Sequence, residues 1–136
     1  MIVPTATGEV AKKTIFVGET KIQVEIASTA ESRAKGLSGR TDLLNDSGML
    51  FIFDSKDVSP IFWMKDTLIP LDIIWIKDRS VVKIDKNVEP ANPDTPDSEL
   101  KLYYPGKPID YVLEVKSGYS DAHGILVGSK VDLSSL

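Results

Sequence analysis

Phe62-Trp63-Met64-Lys65-Asp66-Thr67-Leu68-Ile69-Pro70-Leu71-Asp72-Ile73-Ile74-Trp75-Ile76 decides the fold class of this chain. Pro70 excludes one long helix through it, because proline lacks the backbone N–H and clashes with the preceding turn. The residues after Pro70 are dominated by β-branched types, which suit a pleated strand. Residues 61–64 therefore read as one extended piece and 71–76 as a strand. The stretch also holds both tryptophans of the chain and a Lys-Asp-Thr triplet. That polar and aromatic density marks either a binding surface or a structural keystone.

Working outward, residues 14–17 and 21–27 read as strands. Ile22, Val24 and Ile26 alternate with Lys21, Gln23 and Glu25, a period of two. Gly18-Glu19 between them signals a tight hairpin turn. Ser28 with Glu31 three residues later predicts a capping box, and a short helix to Lys35 that stops at Gly36. Residues 37–44 predict a further helical turn. Met49-Leu50-Phe51-Ile52-Phe53 is a continuous apolar run that suits a strand buried on both faces.

Beyond the opening stretch, residues 77–80 turn the chain and 81–88 return as a hairpin partner. Residues 89–100, with Pro90, Pro93 and Pro96, form a long loop. Residues 101–104 predict a short edge strand, 110–116 a strand, 117–124 a turn or single helical turn, and 126–133 a closing strand. The expected fold is α+β and mainly antiparallel β. It is a curled sheet or open barrel of seven to eight short strands with one or two short helices. The lack of βα repeats argues against a parallel sheet.

The chain has 136 residues, the size of one domain. Residues 14–136 are expected to form it, with 1–13 as a weakly ordered tether. That segment resembles what remains after a leader is cleaved, which predicts export to the periplasm or cell surface. The net charge of −4 and the scattered basic residues argue against a general nucleic-acid binder. No apolar run approaches the roughly 20 residues that cross a bilayer. The absence of cysteine excludes thiol catalysis, disulfides and thiolate metal sites. With His123 the sole histidine, any metal would need oxygen ligands. The carboxylates around the proline loop (Asp85, Glu89, Asp94, Asp97, Glu99) lack calcium-loop spacing and read as a solvated face. No metal or cofactor is expected.

Asp72 is expected to be buried, since both faces of its strand are apolar. A buried carboxylate then needs a partner. Arg33, Arg40 and Lys65 are candidates, as are backbone N–H groups; the sharper reading is a general base or ligand acceptor. Trp63 beside Lys65, Asp66 and Thr67 can form an aromatic floor with polar groups, or a core residue followed by an ordinary turn. Arg33, Lys35 and Arg40 around Gly36-Leu37-Ser38-Gly39 can hold an anion, although helix termination with solvated arginines accounts for the same pattern. Glu114 alternates with Val112 and Lys116, which predicts a solvent-facing position. No nucleophile–base–orienter set is present.

The chain resembles a prokaryotic family called domain of unknown function 192. The resemblance rests on Arg33-x-x-Gly36-Leu37-x-x-Arg40-x-x-Leu43, Gly48-Met49-Leu50-Phe51-x-Phe53, Phe62-Trp63-Met64-Lys65-x-Thr67-x-x-Pro70-Leu71-Asp72-Ile73 and Tyr111-Val112-Leu113-Glu114-Val115-x-x-Gly118. It spans about residues 14 to 133. Ser38 stands where that family usually has methionine, and Asp66 where it usually has asparagine. The resemblance implies a compact, mainly antiparallel β domain, often exported, with no established activity.

Three functions follow. The first is a non-enzymatic, envelope-associated accessory or small-ligand-binding domain built on Arg33, Arg40, Trp63, Lys65, Asp66, Thr67, Asp72 and Glu114. Its partner would be a small molecule, a sugar or a protein. The second is a hydrolase or lyase with Asp72 and Glu114 as paired carboxylates. The third is a structural or interaction module in which Arg33, Arg40, Asp72 and Glu114 pair internally and leave no polar-lined pocket.

Overall fold

Strand alternation, apolar runs and glycine turns resolve into seven strands and two short helices in a computed structural model that describes residues 12–136. The elements are β1 Lys12–Val17, β2 Thr20–Ala27, α1 Ala30–Lys35, β3 Ser47–Ile52, β4 Leu71–Lys77, β5 Ser80–Val88, β6 Tyr111–Lys116, α2 Tyr119–Ala122 and β7 Val131–Asp132. The expected tether lies almost wholly outside the described residues.

The strands form one sheet in the order β5-β4-β6-β3-β2-β1-β7. All neighbours are antiparallel except β2 and β3. Those two run parallel because α1 and the loop after it carry the chain back to the start of the sheet. This single crossover leaves the sheet mainly antiparallel, as expected. At one end the sheet closes on itself. Ser80 bridges Lys130, the Val81 N–H donates to Ser129 O at 2.9 Å, and Gly128 N–H donates to Val81 O at 2.7 Å.

The curl gives two cores. One lies within it and joins Ile15, Ile22, Val24, Leu50, Ile74, Ile76, Leu113 and Val115. The other covers the opposite face with Met49, Phe51, Ile73, Trp75 and Val112, under loops that contribute Leu37, Met64 and Ile69. Phe62 pins these loops down. Its ring meets Phe51 edge-on at 5.0 Å and Trp75 at 5.4 Å, and its backbone pairs with Tyr103. With both faces covered, Leu71–Lys77 is buried at every position but the last, which suits a run that is apolar from Ile73 to Ile76. Gly48 allows β3 to lie close to β6. A Cβ there would sit 2.5 Å from the backbone oxygen of Glu114.

Three expected elements are absent or shortened. Residues 37–44 form turns rather than helix, since Gly36 and Gly39 take left-handed φ values of 49° and 78°. Residues 101–104 contribute one bridge rather than a strand. Residues 126–133 reduce to Val131–Asp132, because Gly128 turns the chain at φ 97°.

Candidate functional site

The site begins with α1. Thr29 caps it: its hydroxyl accepts the Ser32 N–H at 3.0 Å, and Ser32 Oγ accepts the Thr29 N–H at 3.0 Å. The capping box is thus one residue later than Ser28 and Glu31 predict. Gly36 ends the helix and donates its N–H to Ser32 O. The following glycine loop is tied across to a second turn, in which Thr67 N–H donates to Met64 O at 3.1 Å and Gly39 N–H to Asp66 O at 2.9 Å. Asp66 occupies the left-handed region of that turn at φ 56°.

Between the glycine loop and the 61–67 segment lies an open cleft of about 270 Å³. Phe51, Phe53, Phe62 and Trp63 supply aromatic surface, Leu37 and Thr67 contribute to the lining, and Glu114 reaches it from the sheet. Arg33, Lys35 and Lys65 also border it. Of the expected site residues, Arg33, Trp63, Lys65, Thr67 and Glu114 come together here, while Arg40, Asp66 and Asp72 do not line the cleft.

The charged groups differ in what holds them. Arg33 donates to Ser28 O at 2.9 Å and Ile52 O at 2.8 Å, pairs with Asp54 at 3.4 Å and lies over Phe53 at 5.6 Å. Lys65 pairs with Asp97 at 2.8 Å and sits 5.5 Å from the Trp63 ring centre. That pairing raises the Lys65 pKa. Arg40 grips Glu25 through both guanidinium nitrogens, which raises its own pKa. The two arginines are therefore clamps within the fold, not the solvated side chains of the helix-termination reading.

Asp72 is fully buried. Its carboxylate accepts N–H groups of Asn87 at 2.9 Å, Gly118 at 3.3 Å and Ser120 at 3.0 Å, and the Ser120 hydroxyl at 2.6 Å. Backbone donors, and none of the proposed cations, satisfy it. It fastens the β6–α2 connection to the sheet.

Glu114 is the contrast. It is 5% exposed, not solvent-facing, because loops cover that face of β6. Across the sheet it stands level with Met49 on β3 and Ile73 on β4. Among the described residues it has no hydrogen-bond or ion-pair partner. No fully buried side-chain oxygen or nitrogen among them is left unsatisfied, so its carboxyl meets the cleft rather than being sealed in apolar core. Burial pushes its pKa from about 4.5 up to about 8. At neutral pH it is a protonated acid at the edge of an aromatic cleft.

Asp72 and Glu114 share no cleft. Asp72 is level with Val115 and Glu114 with Ile73, and successive residues of a strand point to opposite faces. This geometry removes the glycosidase-like version of the paired-carboxylate hydrolase or lyase. The purely structural module expected four internally paired groups and no polar-lined pocket; Arg33, Arg40 and Asp72 are paired, but Glu114 is not, and the cleft is present.

Sequence reasoning left Phe51, Phe53 and Leu37 out of the site. Period two places Met49, Phe51 and Phe53 on one face, the signal that would have linked Phe51 and Phe53 to Phe62. A second concavity of about 450 Å³ lies under the proline-rich loop and includes Asp85, Glu89 and Glu99. Asp85 there accepts the Trp75 indole N–H at 2.8 Å and pairs with Lys83 at 3.4 Å. Among the described residues, no group of three or more His, Cys, Asp or Glu side chains is placed to hold a metal ion, and no helix is long and apolar enough to cross a membrane.

The sequence profile of domain of unknown function 192, described as Uncharacterized ACR, matches residues 13–133. A comparison with curated proteins gives no match. Similar solved structures include the following two. One, from Sinorhizobium meliloti 1021, bears a name suggesting a transcription regulator; it is 28% identical, with a TM-score of 0.81 over 95% of this chain and 100% of that one. The other, a protein of unknown function from Novosphingobium aromaticivorans DSM 12444, is 32% identical, with a TM-score of 0.78 over 97% and 91%.

Proposed function

Since the chain belongs to the family of domain of unknown function 192, whose name assigns no activity, we propose its function from the cleft itself: it is a small-ligand-binding domain, without chemistry of its own, that takes its ligand beside Glu114. One observation carries this reading. Glu114 is a buried carboxyl with no partner among the described residues, in contact with an aromatic-lined space of ligand size. Burying such a group without compensation costs about 1–3 kcal/mol, and a ligand that bonds to it recovers part of that cost. Aromatic rings and polar side chains converge on one concave space there, a composition that serves to orient a small ligand. Binding is favoured over hydrolysis because the second carboxylate that glycosidase-type chemistry needs leaves the opposite face of the sheet.

The test is a ligand panel read by Trp63 emission and by thermal shift, with Trp63→Phe as the optical control. Ligands that raise the melting temperature in both proteins, but change emission only in the parent, support the reading. A flat response across glycans, amines, acids and neutral metabolites sinks it. An envelope address, implied by the family resemblance, is part of the proposal; fractionation of cells into cytoplasm and envelope decides it separately.

A further inference from the structure

Three ligand chemistries can meet a buried carboxyl: an anion, a neutral hydrogen-bonding group and a cation. An anion needs uncommitted positive charge inside the cleft. Arg33 is engaged by Asp54 and two backbone oxygens, and Lys65 by Asp97. Lys35 is exposed. A neutral group uses Glu114 only as a hydrogen-bond partner and gains nothing from its ionisation, whereas the rings of Phe53 and Trp63 already seat cations, Arg33 at 5.6 Å and Lys65 at 5.5 Å. A cation uses both features, because aromatic faces attract positive charge and a carboxylate neutralises it. The cleft brings Phe51, Phe53, Phe62 and Trp63 to Glu114.

We infer, resting on the ligand-binding reading of this cleft, that it takes a small organic cation, with the charge on the Glu114 carboxylate and the apolar part against Phe62 and Trp63. The linkage has a definite sign. In the free protein burial keeps Glu114 protonated up to about pH 8. A cation needs the ionised form, so its binding below that pH expels one proton and tightens as pH rises. The other charged groups on that side include Glu25 with Arg40, Asp85 with Lys83, Arg33 with Asp54, Lys65 with Asp97, and Lys35 at the cleft edge.

The experiment titrates the protein with benzyltrimethylammonium, benzyl alcohol and phenylacetate across that pH range by calorimetry, in buffers of different ionisation enthalpy. Benzyltrimethylammonium has a fixed charge, so only the protein titrates. The expected result is tightest binding by the ammonium, gaining up to roughly tenfold per pH unit below pH 8 with release of one proton. Glu114→Gln, which keeps size and a hydrogen-bonding end, is expected to weaken it about tenfold or more and to leave benzyl alcohol within about twofold. Should that variant fail to fold, the parent pH profile alone decides. Preference for benzyl alcohol or phenylacetate, or binding that weakens as pH rises, overturns the cation and leaves the cleft standing as a ligand site. No binding by any of the three overturns both.

Discussion

Asp72 and Glu114 lie on adjacent strands and leave the sheet on opposite faces, Asp72 level with Val115 and Glu114 with Ile73. One is saturated by donors of its own chain, and the other has no partner among the described residues. Replacing Asp72 with Asn turns one acceptor into a donor facing N–H and hydroxyl groups. We expect a loss of about 2–3 kcal/mol in urea unfolding, with cleft binding retained in the folded fraction. Unchanged stability with lost binding would restore Asp72 as a site residue.

Glu114 has the opposite signature. Its folded pKa, about 8, lies above the ordinary carboxylate value. Below about pH 4 both folded and unfolded chains hold the proton, and the group adds no pH dependence. Between about pH 4.5 and 8 the unfolded chain releases it and the folded chain does not, so stability falls with rising pH; above pH 8 the loss levels off. Glu114→Gln should flatten this slope and be more stable than the parent at pH 8, by on the order of 3 kcal/mol, with no such advantage at pH 4. Parallel urea midpoints across the range would refute the burial argument.

The two tryptophans should separate cleanly in solution. Trp63 is 41% exposed at the cleft and Trp75 is fully buried. Acrylamide should quench one component efficiently and the other poorly. Trp63→Phe should delete the accessible component and change stability by less than about 0.5 kcal/mol. Trp75→Phe loses packing and the bond to Asp85, and should cost about 2–4 kcal/mol. Equal quenching of both would contradict the packing of Phe62 over Trp75.

Asp66, where the family usually has asparagine, sits in a left-handed turn. Asparagine and aspartate both tolerate that backbone. Asp66→Asn should therefore shift stability by no more than about 0.5 kcal/mol and leave cleft binding intact, whereas Asp66→Ala should lose about 1 kcal/mol. A change of affinity in Asp66→Asn would show that the side-chain amide matters to the ligand.

Much of the strand framework is legible in the sequence because alternation and apolar runs report local geometry. The buried Asp72 was legible for the same reason: both faces of its strand are apolar. Its partners were not, since Gly118 and Ser120 reach it only after the chain has crossed the sheet. The solvent-facing reading of Glu114 failed because alternation cannot report what loops lay over a face. The parallel pairing of β2 and β3 was hidden too, for a crossover with a six-residue helix leaves little periodic trace. Within the site, Trp63, Lys65 and Thr67 announced themselves by clustering in sequence. The convergence of Arg33, Phe51 and Glu114 is a product of strand order.

The bridge between Ser80 and Lys130 has a consequence for how this protein behaves when crowded. Among the described residues it shortens the unpaired margins of the sheet to residues 12–15 of β1 and 82–88 of β5. Each margin carries lysines, Lys12 and Lys13 on the first and Lys83 and Lys86 on the second. Lysines on an edge resist the docking of a second margin because their charged ends would have to leave water or, for Lys83 and Lys86, their partners Asp85 and Asp121. The closure that completes the inner core thus also guards the folded chain against growing into ribbons with its own copies.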